Sequence, residues 1–225
     1  MKKIITGILS ILTIGCLAVG MAGCEEQEVE STSTSEEVVS YSENLAYIIS
    51  EDESYYILRG VGLCADRRII IPSTYRGLPV KEIGDRAFQV QNYISSIFIP
   101  DSVTSIGDEA FYYCTSLMSV VIPDSVTSIG DGAFSYCDGL TSVAIPDSVT
   151  SIGVEAFSSC TSLTSVVIGN SVTSIGDRAF FYCTSLTSIE FTGTVAQWNA
   201  ISKESDWNDY APATEVICSD GRVAI

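Results

Sequence analysis

Four cysteines recur at one spacing: Cys114, Cys137, Cys160 and Cys183 stand 23 residues apart. Thiols in such a column could bridge as disulfides, hold a metal, or pack as small buried hydrophobes. Stacked strands lie about 4.8 Å apart, which is inside disulfide reach. Each cysteine is followed by a turn and then a leucine (Leu117, Leu140, Leu163, Leu186), which favours the buried thiol. Two aspartate columns share the period: Asp85, Asp108, Asp131 and Asp177 in one, Asp101, Asp124 and Asp147 in the other. Stacked carboxylates could take calcium, or as a pair hydrolyse a glycoside. No Asp-x-Asp-x-Asp-Gly loop is present, and no spacing sets an acid apart from a base. Capping of a short helical turn accounts for the first column, and turn chemistry after proline for the second. The chain contains no histidine. Ser-His-Asp and Cys-His catalysis and His-ligated metals are thereby excluded. The expectation is a non-enzymatic protein with no cofactor and no metal.

These columns exist because the chain repeats itself. Ile-Gly recurs at Ile83, Ile106, Ile129, Ile152 and Ile175, and phenylalanine at Phe88, Phe111, Phe134, Phe157 and Phe180, always at 23 residues. A fixed period in this range is the signature of a solenoid. Within one unit, Val120 and Ile122 alternate with Ser119 and Val121, as a strand with one buried face requires. Pro123 ends that strand because it has no N–H to give the ladder. Val126 and Ile129 form a second extended run, closed by Gly130. Ala133 and Phe134 then pack inward from a short helical turn that Asp131 would cap. One unit cannot bury these side chains alone, whereas stacked units can.

The pattern "LTSVVIP…SVTSIG..AF..C.SL" resembles the BspA-type leucine-rich repeat of bacterial surface proteins. The resemblance covers about residues 69–191. It implies a parallel-stranded solenoid with the first strand of each unit on the concave side, exposure at the cell surface, and in some members adhesion to proteins of other cells. The expected fold is mainly β with short helical turns: about five 23-residue coils between two caps. Residues 45–68 read as an N-terminal cap hairpin around Glu51–Ser54. Residues 192–225 read as a C-terminal cap. There Thr194 and Gln197 have capping-box spacing, Val195, Trp198 and Ile201 share a helical face, and "SDG" turns a final hairpin. Trp198 and Trp207 are read as cap core, with an aromatic sugar site as the alternative.

The first residues read as an address. Lys2 and Lys3 precede an apolar run to Val19, then Met21-Ala22-Gly23-Cys24 leads at once into "EEQEVE". This is the pattern of a secretory signal. The run is short for a membrane-spanning helix, and only acids flank it. Ala22-Gly23-Cys24 resembles the lipobox of bacterial lipoproteins, with Met21 where leucine is usual. The resemblance implies cleavage after residue 23 and lipid on Cys24. Residues 24–44, rich in Ser, Thr and Glu, read as a disordered, self-repelling tether. The membrane is thus one expected partner, through a lipid anchor on the outer face of a bacterial cell. With 28 acidic residues against 11 basic, a net charge of −17, nucleic acid is not a partner.

What remains is the outward face of the first strands. Phe98, Val121, Ala144, Val167 and Glu190 form one row, and Ser119, Ser142 and Ser165 belong to its neighbour. A low-charge, partly apolar strip on an acidic protein suits docking of an extracellular protein. The competing reading is that small residues merely suit a curved sheet. The function expected is a surface-anchored binding or adhesion module. The alternatives are an envelope spacer without a ligand and a carbohydrate-binding surface protein.

Overall fold

The structure is a computed structural model that describes residues 41–225. The expected signal segment 1–23, Cys24 and the tether through residue 40 lie outside the described residues. Residues 41–44 are described, and they pack onto the fold. Ser42 N donates to Ile70 O at 3.0 Å, and Ile70 N donates to Ser42 Oγ at 3.0 Å. The folded part therefore reaches back past Leu45, because Ser42 supplies the edge partners that residue 70 would otherwise lack.

Strands β1 (Ala46–Ile49) and β2 (Tyr56–Gly60) form an antiparallel hairpin. β3 (Arg68–Ile70) follows, then β4 (Thr74–Tyr75) and β5 (Leu78–Ile83), which pair antiparallel across a tight turn. From there each coil carries two strands. They are β6 (Ser96–Phe98) and β7 (Ser105–Ile106), β8 (Ser119–Val121) and β9 (Ser128–Ile129), then β10 (Ser142–Ile145) and β11 (Ser151–Ile152). β12 (Ser165–Ile168), β13 (Ser174–Ile175) and β14 (Ser188–Phe191) continue the series. Helix α1 (Val195–Ala200), β15 (Ser202–Lys203), β16 (Glu215–Cys218) and β17 (Gly221–Ala224) complete it.

One side of the solenoid is the sheet β1-β2-β5-β7-β9-β11-β13-β15, parallel from β2 onward. A second side carries the first strands as two segments, β3-β6-β8 and β10-β12-β14-β16-β17. Between the segments only a long 3.5 Å bond runs from Thr141 N to Met118 O. Parallel partners sit one coil apart, as Val143, Val166, Ile189 and Val216 do. Seven parallel rungs, β2 to β15, lie on the first side. The expectation of about five coils is thus too low. The regions read as caps keep the ladder hydrogen bonds after losing the repeat's letters. β2 pairs β5, β15 pairs β13 and β16 pairs β14, all parallel. Only the hairpins β1–β2 and β16–β17 turn antiparallel at the ends.

The third side is made of turns closed by i→i−3 bonds, such as Ala110 N to Gly107 O and Tyr112 N to Glu109 O. The intervening amides go forward to the next coil: Glu109 N to Asp131 O (2.7 Å), Phe111 N to Ala133 O (2.7 Å) and Tyr113 N to Ser135 O (2.8 Å). This alternation sets φ positive at two positions per coil, for example Glu109 (51°) and Tyr113 (60°). Left-handed backbone costs a side-chain-bearing residue about 1 kcal/mol, and the forward bond offsets it.

The core is a set of side-chain columns. Phe88, Phe111, Phe134, Phe157 and Phe180 stack with centroids 5.1, 4.9, 5.2 and 5.3 Å apart. Trp207 ends the stack edge-on at 6.2 Å. Each such ring, fully buried, is worth roughly 1.5–3 kcal/mol. Coils approach this closely only because of the Ile-Gly glycines. A Cβ on Gly153 would stand 2.6 Å from the carbonyl of Gly130.

Candidate binding surfaces

Alternation in the first strands points one residue in two away from the core, and register aligns those residues in rows. Phe98 stands opposite Val121. Across the break in the sheet, Ala144, Val167 and Glu190 are opposite one another in turn. Phe98 is 54% exposed and Val121 68%. Ala144 and Glu190 are exposed too, while Val167 is half-buried. In the neighbouring row Ser119 and Ser142 are exposed and Ser165 is half-buried. The row has a further member that the repeat pattern did not reveal. Ile217 pairs with Glu190 and is exposed. Its signal was the alternation of Val216 and Cys218 around it, which matches Ile189 and Phe191. Met118, just before β8, is a further exposed apolar side chain at 60%.

The four periodic cysteines are buried and free. Each thiol donates to the carbonyl of the phenylalanine 26 residues earlier: Cys114 to Phe88, Cys137 to Phe111, Cys160 to Phe134 and Cys183 to Phe157, at 3.0–3.2 Å. Burial pushes the thiols of Cys114 and Cys183 up to about 12 and those of Cys137 and Cys160 well above the ordinary range. They are neutral donors in the core, not nucleophiles.

The first aspartate column does something the sequence reading did not assign. Asp85 Oδ1 accepts from Asp108 N (3.0 Å), Asp108 Oδ1 from Asp131 N (2.9 Å) and Asp131 Oδ1 from Val154 N (2.7 Å). These carboxylates tie one coil to the next instead of capping their own turn. The reason is that the amides a cap would serve are already taken, as Ala110 N is by Gly107 O of its own turn and Phe111 N by Ala133 O of the following coil. In the second column Asp147 Oδ1 accepts from Asn170 N at 2.8 Å and from Thr192 Oγ1 at 2.9 Å. Among the described residues no group of three His, Cys, Asp or Glu side chains is placed to hold a metal ion.

At the C-terminal end Thr194 and Gln197 form a reciprocal capping box on α1. Trp198 and Trp207 are buried, 5.7 Å apart, so neither offers a platform to a sugar. Lys203 Nζ bonds Trp198 O and Ile201 O and lies 4.7 Å from the Trp198 ring, closing the helix end. Among the described residues no helix is long and apolar enough to cross a membrane.

A family model described as a BspA type leucine rich repeat region, in six copies, matches residues 81–203. Among solved structures, a leucine rich repeat protein of Treponema pallidum is 34% identical with a TM-score of 0.64. That match covers 67% of this chain and 70% of the other. A leucine rich cell surface protein of Faecalibacterium prausnitzii is 34% identical with a TM-score of 0.65, over 72% of this chain and 42% of that one. A leucine-rich repeat protein of Bacteroides ovatus is 29% identical with a TM-score of 0.52, over 68% of this chain and 47% of the other. This chain therefore spans less than half the length of the latter two proteins. None of the curated proteins matches it.

Proposed function

Because this chain belongs to the BspA-type leucine-rich repeat family, we propose that it is a lipid-anchored module that binds an extracellular protein at the cell surface. The observation that carries the reading is the row Phe98, Val121, Ala144, Val167 and Glu190. It is an outward, largely apolar line with a single charge, on a protein of net charge −17. Contiguous apolar surface of this kind marks docking sites. Register aligns Phe98 with Val121 and, beyond the break, Ala144 with Val167 and Glu190, so modest contacts from successive coils can add into one interface. Ser119, Ser142 and Ser165 supply hydroxyls beside it. The anchor rests on Ala22-Gly23-Cys24 and the acidic run after it. A diacylglycerol supplies two acyl chains, and two are what stable anchoring needs. That the Faecalibacterium relative is a cell surface protein supports the same location.

The test is binding to a panel of extracellular-matrix proteins and glycans. Phe98→Ala should weaken capture of a protein ligand by about 2 kcal/mol, since buried aromatic anchors dominate interfaces. Val121→Lys with Val167→Lys should abolish it and leave the fold intact. A folded double variant that still binds every ligand of the parent would refute the strip. A parent that binds nothing in the panel would favour the spacer reading.

A further inference from the structure

On the turn side, one position per coil carries a long charged side chain: Arg86, Glu109, Glu155 and Arg178, with Gly132 in the middle of the column. All five share the left-handed conformation, with φ between 51° and 60°. The outer members pair. Arg86 forks onto Glu109 (Nε to Oε2 2.8 Å, Nη2 to Oε1 3.3 Å), and Arg178 Nη1 lies 3.8 Å from Glu155 Oε1. Arg178 also lies over the ring of Phe181 at 5.5 Å. In the middle coil the residues equivalent to Arg178 and Phe181 are Gly132 and Ser135. Both side chains are cut short, and a depression of about 330 Å³ takes their place.

Its walls are predominantly acidic. Glu109 and Glu155 stand one coil to either side of Gly132, steps of 4.9 and 5.2 Å in the core. Asp108 and Asp131 add two more carboxylates, against the single cation Arg86. Tyr112 presents an aromatic wall, braced by Tyr113 at 6.1 Å and Tyr136 at 5.6 Å. The floor holds an independent sign of a ligand. Ser135 is 1% exposed, lines the depression, and its Oγ has no hydrogen-bond partner. Buried hydroxyls are normally satisfied. The carboxylates exclude an anion, and the absence of a three-ligand group among the described residues excludes a compact metal site.

We propose that this notch receives an arginine side chain of a protein partner. A guanidinium is planar, cannot lose its charge, and carries five donors in a fork. It finds here what Arg86 and Arg178 already use: carboxylates to bond and a ring to lie against. Ser135 Oγ accepts one further N–H. The partner's arginine thus fills the place where the repeat omits its own. The proposal rests on the protein-binding reading for the source of the arginine, but the site lies on a different side from the Phe98 row.

The experiment titrates the isotope-labelled whole chain with the blocked tripeptide acetyl-Gly-Arg-Gly-amide and follows backbone amides by NMR. Shifts should centre on Gly132, Ser135 and Glu155, and weaken several-fold between about 0.05 and 0.5 M salt as screening shortens. The citrulline analogue, isosteric but neutral, should give no shifts. Gly132→Arg should abolish peptide binding and raise the thermal midpoint, because the inserted guanidinium takes the same carboxylates. Glu155→Gln, a milder change, should weaken binding at least fivefold. Equal shifts from arginine and citrulline peptides, shifts centred elsewhere, or a Gly132→Arg chain that binds like the parent would each overturn the proposal. The double lysine variant of the other face should still take up the arginine peptide. If it loses a protein ligand but keeps the peptide, the two sites are separate.

Discussion

Raising the pH from 8 to 9.5 should destabilise this protein through its cysteine column, without touching a surface charge. An unfolded chain releases thiol protons near an ordinary value of 9.0, whereas burial holds Cys114 and Cys183 protonated to about 12 and Cys137 and Cys160 higher still. Above the lower value the unfolded state binds fewer protons than the folded one, so stability falls as pH rises. The contribution is fully present below pH 8. At pH 9.5 each thiol has cost about 0.8 kcal/mol, and the four together about 3 kcal/mol relative to pH 8. That is a large part of the 5–15 kcal/mol typical of a domain. Tyrosines begin to ionise only near 10 in an unfolded chain, so Tyr47, whose hydroxyl burial pushes well up, adds only about 0.2 kcal/mol of loss in the same direction by pH 9.5. Urea unfolding under reducing conditions, read by the fluorescence of buried Trp198 and Trp207, measures the loss. Cys137→Ala should reduce the pH dependence by one proton's share. Stability at pH 9.5 within about 1 kcal/mol of that at pH 8 would refute the reasoning, as would rapid labelling of the native thiols at pH 8.

Three further outcomes are expected. Gly153→Ala should cost about 2 kcal/mol or more in urea unfolding, because its Cβ would meet the backbone of Gly130 at 2.6 Å, which cannot give way. Cys137→Ser should cost no more than about 1 kcal/mol in the same assay, since the hydroxyl inherits the Phe111 carbonyl as acceptor and is not left unpaired. Cys24→Ala should leave the protein unprocessed or release it from the membrane fraction, as gel mobility and fractionation will show. An unchanged pattern would end the lipoprotein proposal.

The sequence by itself determined the solenoid. The 23-residue period of Ile-Gly, Phe, Cys and Leu gives each unit the same inward side chains, and identical units can bury those only against one another. It also determined which residues of the first strands turn outward, because alternation along a strand is local. Four matters were decided only by the stacking. The coil count rose to seven because β2, β15 and β16 join the ladder through backbone bonds, which need none of the repeat's letters. Asp85, Asp108 and Asp131 looked like caps of their own turns, yet they serve the next coil, since the competing donors lie 23 residues away. The thiols found carbonyl partners in the preceding coil for the same reason. The notch at Gly132 and Ser135 reads in sequence as two ordinary departures from the repeat. It becomes a site only when Glu109, Tyr112 and Glu155 are brought around it, because a depression belongs to neighbouring coils and not to the coil that lacks the side chains.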